Sequence, residues 1–169
     1  MADEAFKRWY AEGLQAVKTA ADQGKAASGS EHARSAPPEI RELMEGGAEV
    51  FGRHAETLGG LLQRADGGAS AGAGSRPNPF WDGIQKGSQQ MIQAAGDDAV
   101  REASVVAAAQ IATHYFIAAY GTLASNAKHL GLDEDARTLK GLSDEMKAAD
   151  QRMTELAEGK SNERAASGA

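Results

Sequence analysis

The sequence predicts an all-α protein, a four-helix bundle with one long crossover connection and a short extra helix before the third main helix. Apolar residues make up 41% of the 169 residues, aromatic residues only 5%, and no β-branched run has the length of a strand. Apolar side chains recur at every third or fourth position over long stretches, which is the period of a helix. The length suits one domain, predicted over residues 1–159, with a disordered tail at 160–169.

Two helices are predicted in the first 66 residues. Helix one covers about residues 3–23, and residues 24–36 are small and polar, which indicates a looser connection. Helix two covers about residues 39–66, because it follows Pro37 and Pro38 and proline is tolerated in a first helical turn. The apolar stripe of helix one consists of Phe6, Tyr10, Leu14 and Val17; that of helix two includes Ile40, Leu43, Phe51, Leu58, Leu61 and Leu62.

A low-complexity segment separates this pair from the rest of the chain. Residues 67–79 are rich in glycine, alanine and serine and contain no means of burying a core, so they are predicted to be a flexible linker. In a helical bundle, a connection of this length indicates a crossover between parallel neighbours. A short helix is predicted at about residues 80–95, where apolar side chains would cover one end of the core: Trp81, Ile84, Met91 and Ile92.

The second half of the chain predicts the two remaining main helices. Helix three covers about residues 98–129, with Asp97 or Asp98 as its N-cap. Gly131 is predicted to end it, and Asp133 is predicted to be the N-cap of helix four. Helix four has the most regular apolar spacing in the chain: Ala136, Leu139, Leu142, Met146, Ala149, Met153 and Leu156.

Composition and motifs argue against several classes of function. A net charge of −6 with 18 scattered basic residues argues against nucleic-acid binding, which needs clustered lysine and arginine. The absence of cysteine removes thiolate chemistry and is compatible with the cytoplasm. The N-terminus has no apolar leader segment, and the most apolar stretch, 105–120, is interrupted by polar residues and too short to span a membrane. No nucleophile-elbow, phosphate-loop or dinucleotide motif occurs.

Helix three carries the most informative segment, Val-Ala-Ala-Ala-Gln-Ile-Ala-Thr-His-Tyr-Phe-Ile-Ala-Ala-Tyr-Gly-Thr-Leu-Ala at 106–124. It closely resembles the corresponding helix of the YciE/YciF ferritin-like family of bacterial stress-associated proteins, which typically reads AAQKVEHYEIAAYGTLA. The shared residues of this segment include His114, Tyr115, Ala118, Tyr120, Gly121, Thr122 and Leu123. Outside it, the family patterns match at Phe51, His54 and Glu56 in helix two, and at Tyr10, Gln15 and Lys18 in helix one. The resemblance implies a ferritin-like four-helix bundle and, by analogy, a homodimer.

The resemblance also implies a di-metal centre, and this chain departs from it there. The two carboxylates of the family's helix three fall on Thr113 and Phe116, and the glutamate of its helix one falls on Gly13. Such sites use Glu-x-x-His on one helix face, whereas here Glu56 is followed three positions later by Gly59. No Glu-x-x-His occurs anywhere in the sequence. The preferred interpretation is therefore a protein with a degenerate metal site and no cofactor.

Two functional hypotheses follow from these substitutions. The first is a non-enzymatic bundle, stress-associated by resemblance, that acts through contacts with an unknown protein partner or as a homodimer. The second is an iron- or manganese-binding protein whose centre is rebuilt from the remaining candidate ligands: Glu56, His114, Asp144 and Glu145. His114 also has a simpler interpretation, as a buried or interfacial neutral histidine hydrogen-bonded to a carbonyl or hydroxyl group.

Overall fold

The structure is a computed structural model that describes residues 2–28, 38–65 and 77–167. Within these ranges the chain is almost entirely helical and forms no strand. The elements are α1 (Ala2–Ser28), α2 (Pro38–Ala65), α3 (Pro79–Gln93), α4 (Asp98–His129), α5 (Asp133–Leu156), a π-helical turn (Ala157–Ser161) and α6 (Asn162–Ser167). The predicted all-α fold, with four main helices and a short helix before the third, is confirmed.

The four long helices form two antiparallel hairpins that pack against each other. One hairpin pairs α1 with α2, the other pairs α4 with α5, and α3 lies on α4. Helices α2 and α4 run in the same direction, because Phe51 contacts Phe116 and, one turn further along both helices, His54 contacts Tyr120. The connection from α2 to α4 must therefore return along the length of the bundle, which is the predicted crossover.

Helix α1 is longer than the sequence predicts, because it continues to Ser28 instead of ending near residue 23. Its last part lies directly against α2. A Cβ atom placed on Gly24 would lie 3.1 Å from a ring carbon of Phe51, so the absence of a side chain allows the two helices to approach closely. Packing against α2 therefore supports a segment whose composition alone favours a loop. Residues 29–36 of the predicted connection lie outside the described residues.

Helix α3 begins inside the predicted linker. Most of that linker, 67–76, lies outside the described residues, but Pro79 is already helical and Asn78 is the N-cap. The Asn78 side chain accepts a hydrogen bond from the Trp81 amide and donates to the Ala16 carbonyl oxygen (2.8 Å) and the Tyr115 hydroxyl (2.7 Å). One asparagine thus ties the start of α3 to both α1 and α4.

Two of the three predicted capping signals of α4 and α5 are confirmed. Asp97 is the N-cap of α4, and its carboxylate accepts a 2.8 Å hydrogen bond from the Val100 amide. Gly131 has a φ angle of +73°, the left-handed conformation that ends a helix. The predicted N-cap of α5 is wrong, because Leu132 is the cap residue and Asp133 is already helical. Asp133 instead places negative charge in the first turn, where it is favourable to the helix dipole.

The C-terminal segment also differs from the predicted disordered tail. After α5 the chain passes through the π-helical turn and forms α6, which lies against α4. The Arg164 guanidinium is 2.8 Å from a carboxylate oxygen of Glu102 and 3.9 Å from one of Glu39. These ion pairs join α6 to α4 and α2. The composition of residues 160–169 alone could not predict them, because the partners of Arg164 lie far away in the sequence.

Helix α4 is the most apolar element of the bundle, yet only part of it is covered. Among the described residues it is the one helix that is long and apolar enough, by length and composition alone, to cross a membrane. From the sequence, the apolar stretch 105–120 was expected to be too short for this. Only 22% of its most apolar 18-residue window is buried within the chain. One face of α4 packs on α5 and the core, and the remaining apolar surface is open.

Gly13 lies where α1 packs tightly against α4, and this contact gives a stability prediction. A Cβ atom on Gly13 would lie 2.8 Å from Cδ2 of the buried Leu123 side chain. Gly13→Ala is therefore expected to lower the free energy of unfolding by about 1–2 kcal/mol, because core overpacking outweighs the better helix propensity of alanine. Urea denaturation followed by circular dichroism measures this difference.

Gly46→Ala is the matched control, since Gly46 is an exposed residue of α2 whose added Cβ would meet nothing within 4 Å. This variant is expected to be as stable as the wild type or up to about 1 kcal/mol more stable. If both substitutions change the free energy of unfolding equally, α1 and α4 are not tightly packed at Gly13.

Candidate functional site

The centre of the bundle, where α1, α2 and α4 meet, holds the positions at which the family resemblance places metal ligands. Thr113 is buried and its hydroxyl donates a 2.9 Å hydrogen bond to the Ala109 carbonyl oxygen of its own helix. Phe116 is 0% exposed. Gly13 has no side chain, and the space beside it is occupied by Leu123. The donor set at these positions therefore does not fit a di-metal centre, which needs several converging carboxylates.

An aromatic cluster fills the same region. The ring of Phe116 lies within 5.6 Å, centroid to centroid, of the rings of its four aromatic neighbours: Phe51, Trp81, Tyr115 and Tyr120. Aromatic pairs at this separation contribute about 0.5–1.5 kcal/mol each beyond the burial of their area. The centre of the bundle is thus an apolar, ring-filled core in which an ionised ligand would lack solvation.

A polar network borders this cluster and is centred on His54 of α2. The imidazole is 1% exposed. Its Nε2 atom lies 2.9 Å from Oε2 of Glu145 on α5, and its Nδ1 atom lies 3.0 Å from the hydroxyl of Tyr120 on α4. The Arg53 guanidinium, on the solvent side, pairs with the other oxygen of Glu145. Three helices therefore meet at one histidine.

The ionisation states in this network follow from burial and from the partners. Burial lowers the pKa of His54, although the hydrogen bond to Glu145 opposes this shift, so the neutral imidazole is favoured. Burial opposes the ionisation of Glu145, but the hydrogen bond from His54 and the charge of Arg53 bring its pKa below the usual value. An ionised Glu145 only accepts, so Nε2 carries the proton and Nδ1 accepts from the Tyr120 hydroxyl. Burial raises the pKa of Tyr120, which keeps its proton.

A second polar network joins α1, α2 and α5. The carboxylate of Asp135 is buried and accepts hydrogen bonds from the Tyr10 hydroxyl (3.3 Å) and the Arg64 guanidinium (2.9 Å). Burial raises the pKa of Tyr10, and the charge of Asp135 adds to this effect. Each of these three groups has a hydrogen-bonding partner within the network, which connects the two hairpins.

The four predicted metal ligands have separate surroundings. Glu56 is exposed on α2, and Glu145 is engaged by His54 and Arg53. Asp144 is exposed between two lysines, Lys140 and Lys147, whose hydrogen bonds lower its pKa. Over residues 2–28, 38–65 and 77–167, no three histidine or acidic side chains come together in the manner of metal ligands.

His114 differs from its simpler interpretation as well. Its side chain is 65% exposed rather than buried, and its Nε2 atom lies 3.2 Å from Oδ1 of Asp150 on α5. The simpler interpretation allowed a buried or an interfacial histidine. The described residues do not bury His114, because they leave this face of helix three uncovered, and the interfacial alternative stays a prediction. The acidic partner of His114 in the structure is thus Asp150, whereas Glu145 pairs with His54 and Arg53.

The sequence did not predict the buried network centred on His54, although Glu145 was among the candidate ligands. His54 was noted only as part of a family pattern, and its partner Glu145 lies 91 positions away. A signal was present, since His54 precedes the apolar Ala55 and follows Phe51 at helical spacing, which places it on the core face of α2. Nothing in the sequence indicated which residue would satisfy it.

The depressed pKa of His54 predicts a specific dependence of stability on pH. A histidine in the unfolded chain has a pKa near 6.5 and takes up a proton below that pH, whereas burial lowers the pKa of native His54. Stability is therefore expected to be complete above pH 6.5 and to fall as the pH decreases below that value, by up to about 1.4 kcal/mol per pH unit, until native His54 itself takes up a proton. The pKa of Glu145 lies below its usual value, so the contribution of Glu145 is lost only at lower pH.

His54→Gln is expected to flatten this slope, because glutamine does not titrate. The measurement is the free energy of unfolding in urea at pH 7, 6 and 5. His129→Gln is the control, since His129 is exposed and bonds only the Ser125 carbonyl oxygen of its own helix in the structure. A His54→Gln variant that keeps the slope of the wild type would assign the pH dependence to other groups.

Comparison with known proteins identifies the family. Residues 5–166 match the model of a family described as a domain of unknown function, DUF892. The protein YciF of Escherichia coli K12 is 32% identical over 122 residues, which are 70% of this chain and 74% of that protein.

Two solved structures are similar to this fold. The crystal structure of the E. coli stress protein YciF matches with a TM-score of 0.64 and 28% identity, covering 90% of this chain and 94% of that one. The protein YcfI from Rhodopseudomonas palustris matches with the same TM-score and 27% identity, covering 88% and 92%. The resemblance predicted from helix three is confirmed, and the chain belongs to the DUF892 family as a YciF-type protein.

Proposed function

We propose that this chain is a non-enzymatic YciF-type bundle of ferritin-like ancestry that has lost its di-metal centre and acts through protein contacts, as a homodimer. The observation that supports this most directly is Phe116, which is fully buried among aromatic rings where the family resemblance calls for a carboxylate. Replacing buried carboxylates by phenylalanine, threonine and glycine removes charges that only a bound metal would neutralise. Such a core is stable without a cofactor.

The cellular setting of the proposal comes from the relatives. The E. coli relative is described as a stress protein, and we place this chain in a stress response of the cytoplasm by analogy. Its acidic net charge of −6 supports contacts with proteins rather than with nucleic acid. The incomplete burial of α4 supports coverage of that helix by a protein partner rather than by a membrane, because its neighbour α5 is strongly charged along its outer face.

Metal content is the measurement that tests this function. The protein is expressed with iron and manganese supplied, purified without chelators, and analysed for metal per chain by elemental mass spectrometry. A ratio near zero and an unchanged melting temperature on adding either metal are expected, because a metal bound to the native state would stabilise it.

The alternative function makes the opposite prediction in the same experiment. A centre rebuilt from Glu56, His114, Asp144 and Glu145 requires about one or two metal ions per chain, and the metal content should fall in the Glu56→Ala variant. Asp82→Ala, which removes an exposed carboxylate of α3, is the matched control. Stoichiometric metal that depends on Glu56 and not on Asp82 would overturn the proposed function.

A further inference from the structure

The buried apolar side chains of the bundle fall into two separate clusters. The larger cluster, the main core, contains the aromatic rings around Phe116. The smaller cluster, which we call the second core, has one buried member from each of α2, α4 and α5: Ile40, Val106 and Met153. Partly buried residues pack against it: Leu43, Met44, Val105, Ala109, Leu156 and Ala157. The second core lies towards the end of the bundle at which α2 and α4 begin and α5 ends.

Polar side chains lie between the two clusters. Along α4, Gln110 and Thr113 come between the buried members of the two clusters, and along α5 Asp150 does so. The Gln110 amide group donates a 3.0 Å hydrogen bond to the Thr154 hydroxyl, and the Thr113 hydroxyl donates to the Ala109 carbonyl oxygen of its own helix. Such bonds add little net stability and do not join the apolar clusters on either side. The two cores can therefore open as separate units.

The C-terminal residues 157–167, which comprise the π-helical turn and α6, cover one side of the second core. We call them the strap. Ala157 packs against the second core, and both parts of the strap contact α4. Helix α6 has only six residues, and none of them is buried. Since an isolated helix of this length is not stable in water, the contacts of the strap with the bundle must hold it in place.

Arg164 attaches the strap to the bundle through two ion pairs. Its guanidinium lies 2.8 Å from a carboxylate oxygen of Glu102 on α4 and 3.9 Å from one of Glu39 on α2. The Glu102 side chain is 18% exposed, whereas that of Glu39 is 39% exposed. The shorter pair is thus the better shielded from solvent, and it contributes more to holding the strap. The longer pair fixes the strap beside Ile40 of the second core.

The junction between α5 and the strap is locally weak. The helix changes from α-helical to π-helical geometry over Ala157–Ser161, and such turns are rare and often mark functional sites. Gly159 lies in this turn and is exposed. A Cβ atom on Gly159 would meet nothing within 4 Å, so packing against the described residues does not require a glycine there. A glycine nevertheless lowers helix stability by about 1 kcal/mol relative to alanine.

We propose that the strap is a movable cover of the second core, held closed by Arg164, and that it opens while the main core stays folded. Without the strap, the parts of α2 and α4 that line the second core lose packing partners and loosen with it. The open protein presents apolar side chains at one end of the bundle that the closed protein covers. Gly159 keeps the junction weak enough for the strap to open.

Hydrogen–deuterium exchange of the full chain, measured by mass spectrometry at constant pH, tests this opening. Arg164→Met removes both ion pairs and is expected to accelerate exchange by about threefold or more in the strap, in residues 42–47 of α2 and in residues 103–109 of α4. Residues 116–127, in the main core, are expected to exchange at the wild-type rate. Gly159→Ala is expected to slow exchange in the same three segments, because it strengthens the junction.

Two matched controls leave the strap unchanged. Arg152→Met removes an exposed arginine of α5, and Gly141→Ala changes an exposed glycine of α5 whose Cβ would also meet nothing within 4 Å. Neither is expected to alter exchange in the strap. Acceleration by Arg164→Met that is confined to the strap would indicate ordinary fraying of a chain terminus, and equal acceleration in residues 116–127 would indicate global unfolding. Either result, or an unchanged exchange pattern, would overturn the proposed cover.

Discussion

The bundle depends on the packing of large side chains between its two helical hairpins. Helices α1 and α2 are close neighbours along their length, as are α4 and α5, and the two pairs meet mainly through rings such as Phe51, Phe116 and Tyr120. Burying one such phenylalanine contributes about 1.5–3 kcal/mol, and the aromatic pairs add to this. Because Phe116 occupies the centre of this contact, the polar groups are confined to its borders.

The two polar networks at these borders have a different physical role. His54 with Glu145, and Asp135 with Tyr10 and Arg64, connect α2 to α5 at two levels along the bundle. Buried polar pairs add little net stability, but an unpaired member is costly, so each pair penalises any shift of one hairpin along the other. The same requirement ties Glu145 to His54, since moving its carboxylate away would leave the buried Nε2–H group of His54 without an acceptor.

The aromatic centre of the bundle is the feature on which the proposed function rests. Phe116 occupies a position at which the family resemblance calls for a carboxylate, so no buried charge at that position needs a metal to neutralise it. The protein contacts of the proposal need the surface instead, where Phe80 of α3 and Ile111 of α4 are exposed.

The sequence by itself determined the helical elements and the family, because both depend on local information. Apolar spacing located all four main helices, Asp97 and Gly131 set the limits of α4, and the segment 106–124 identified the family. The sequence also indicated that metal-ligating carboxylates of the family are absent at Gly13, Thr113 and Phe116.

Only the tertiary structure decided which residues meet and which faces stay open. The partner of His54 lies 91 positions away. The adjacent carboxylates Asp144 and Glu145 point in different directions, so Asp144 meets two surface lysines while Glu145 meets His54. The exposure of His114 could not be predicted either. The sequence of an apolar helix does not indicate whether its surface is covered by the chain itself or by another molecule. Periodicity specifies that a residue lies on a face, whereas burial and partners depend on what the rest of the fold places opposite that face.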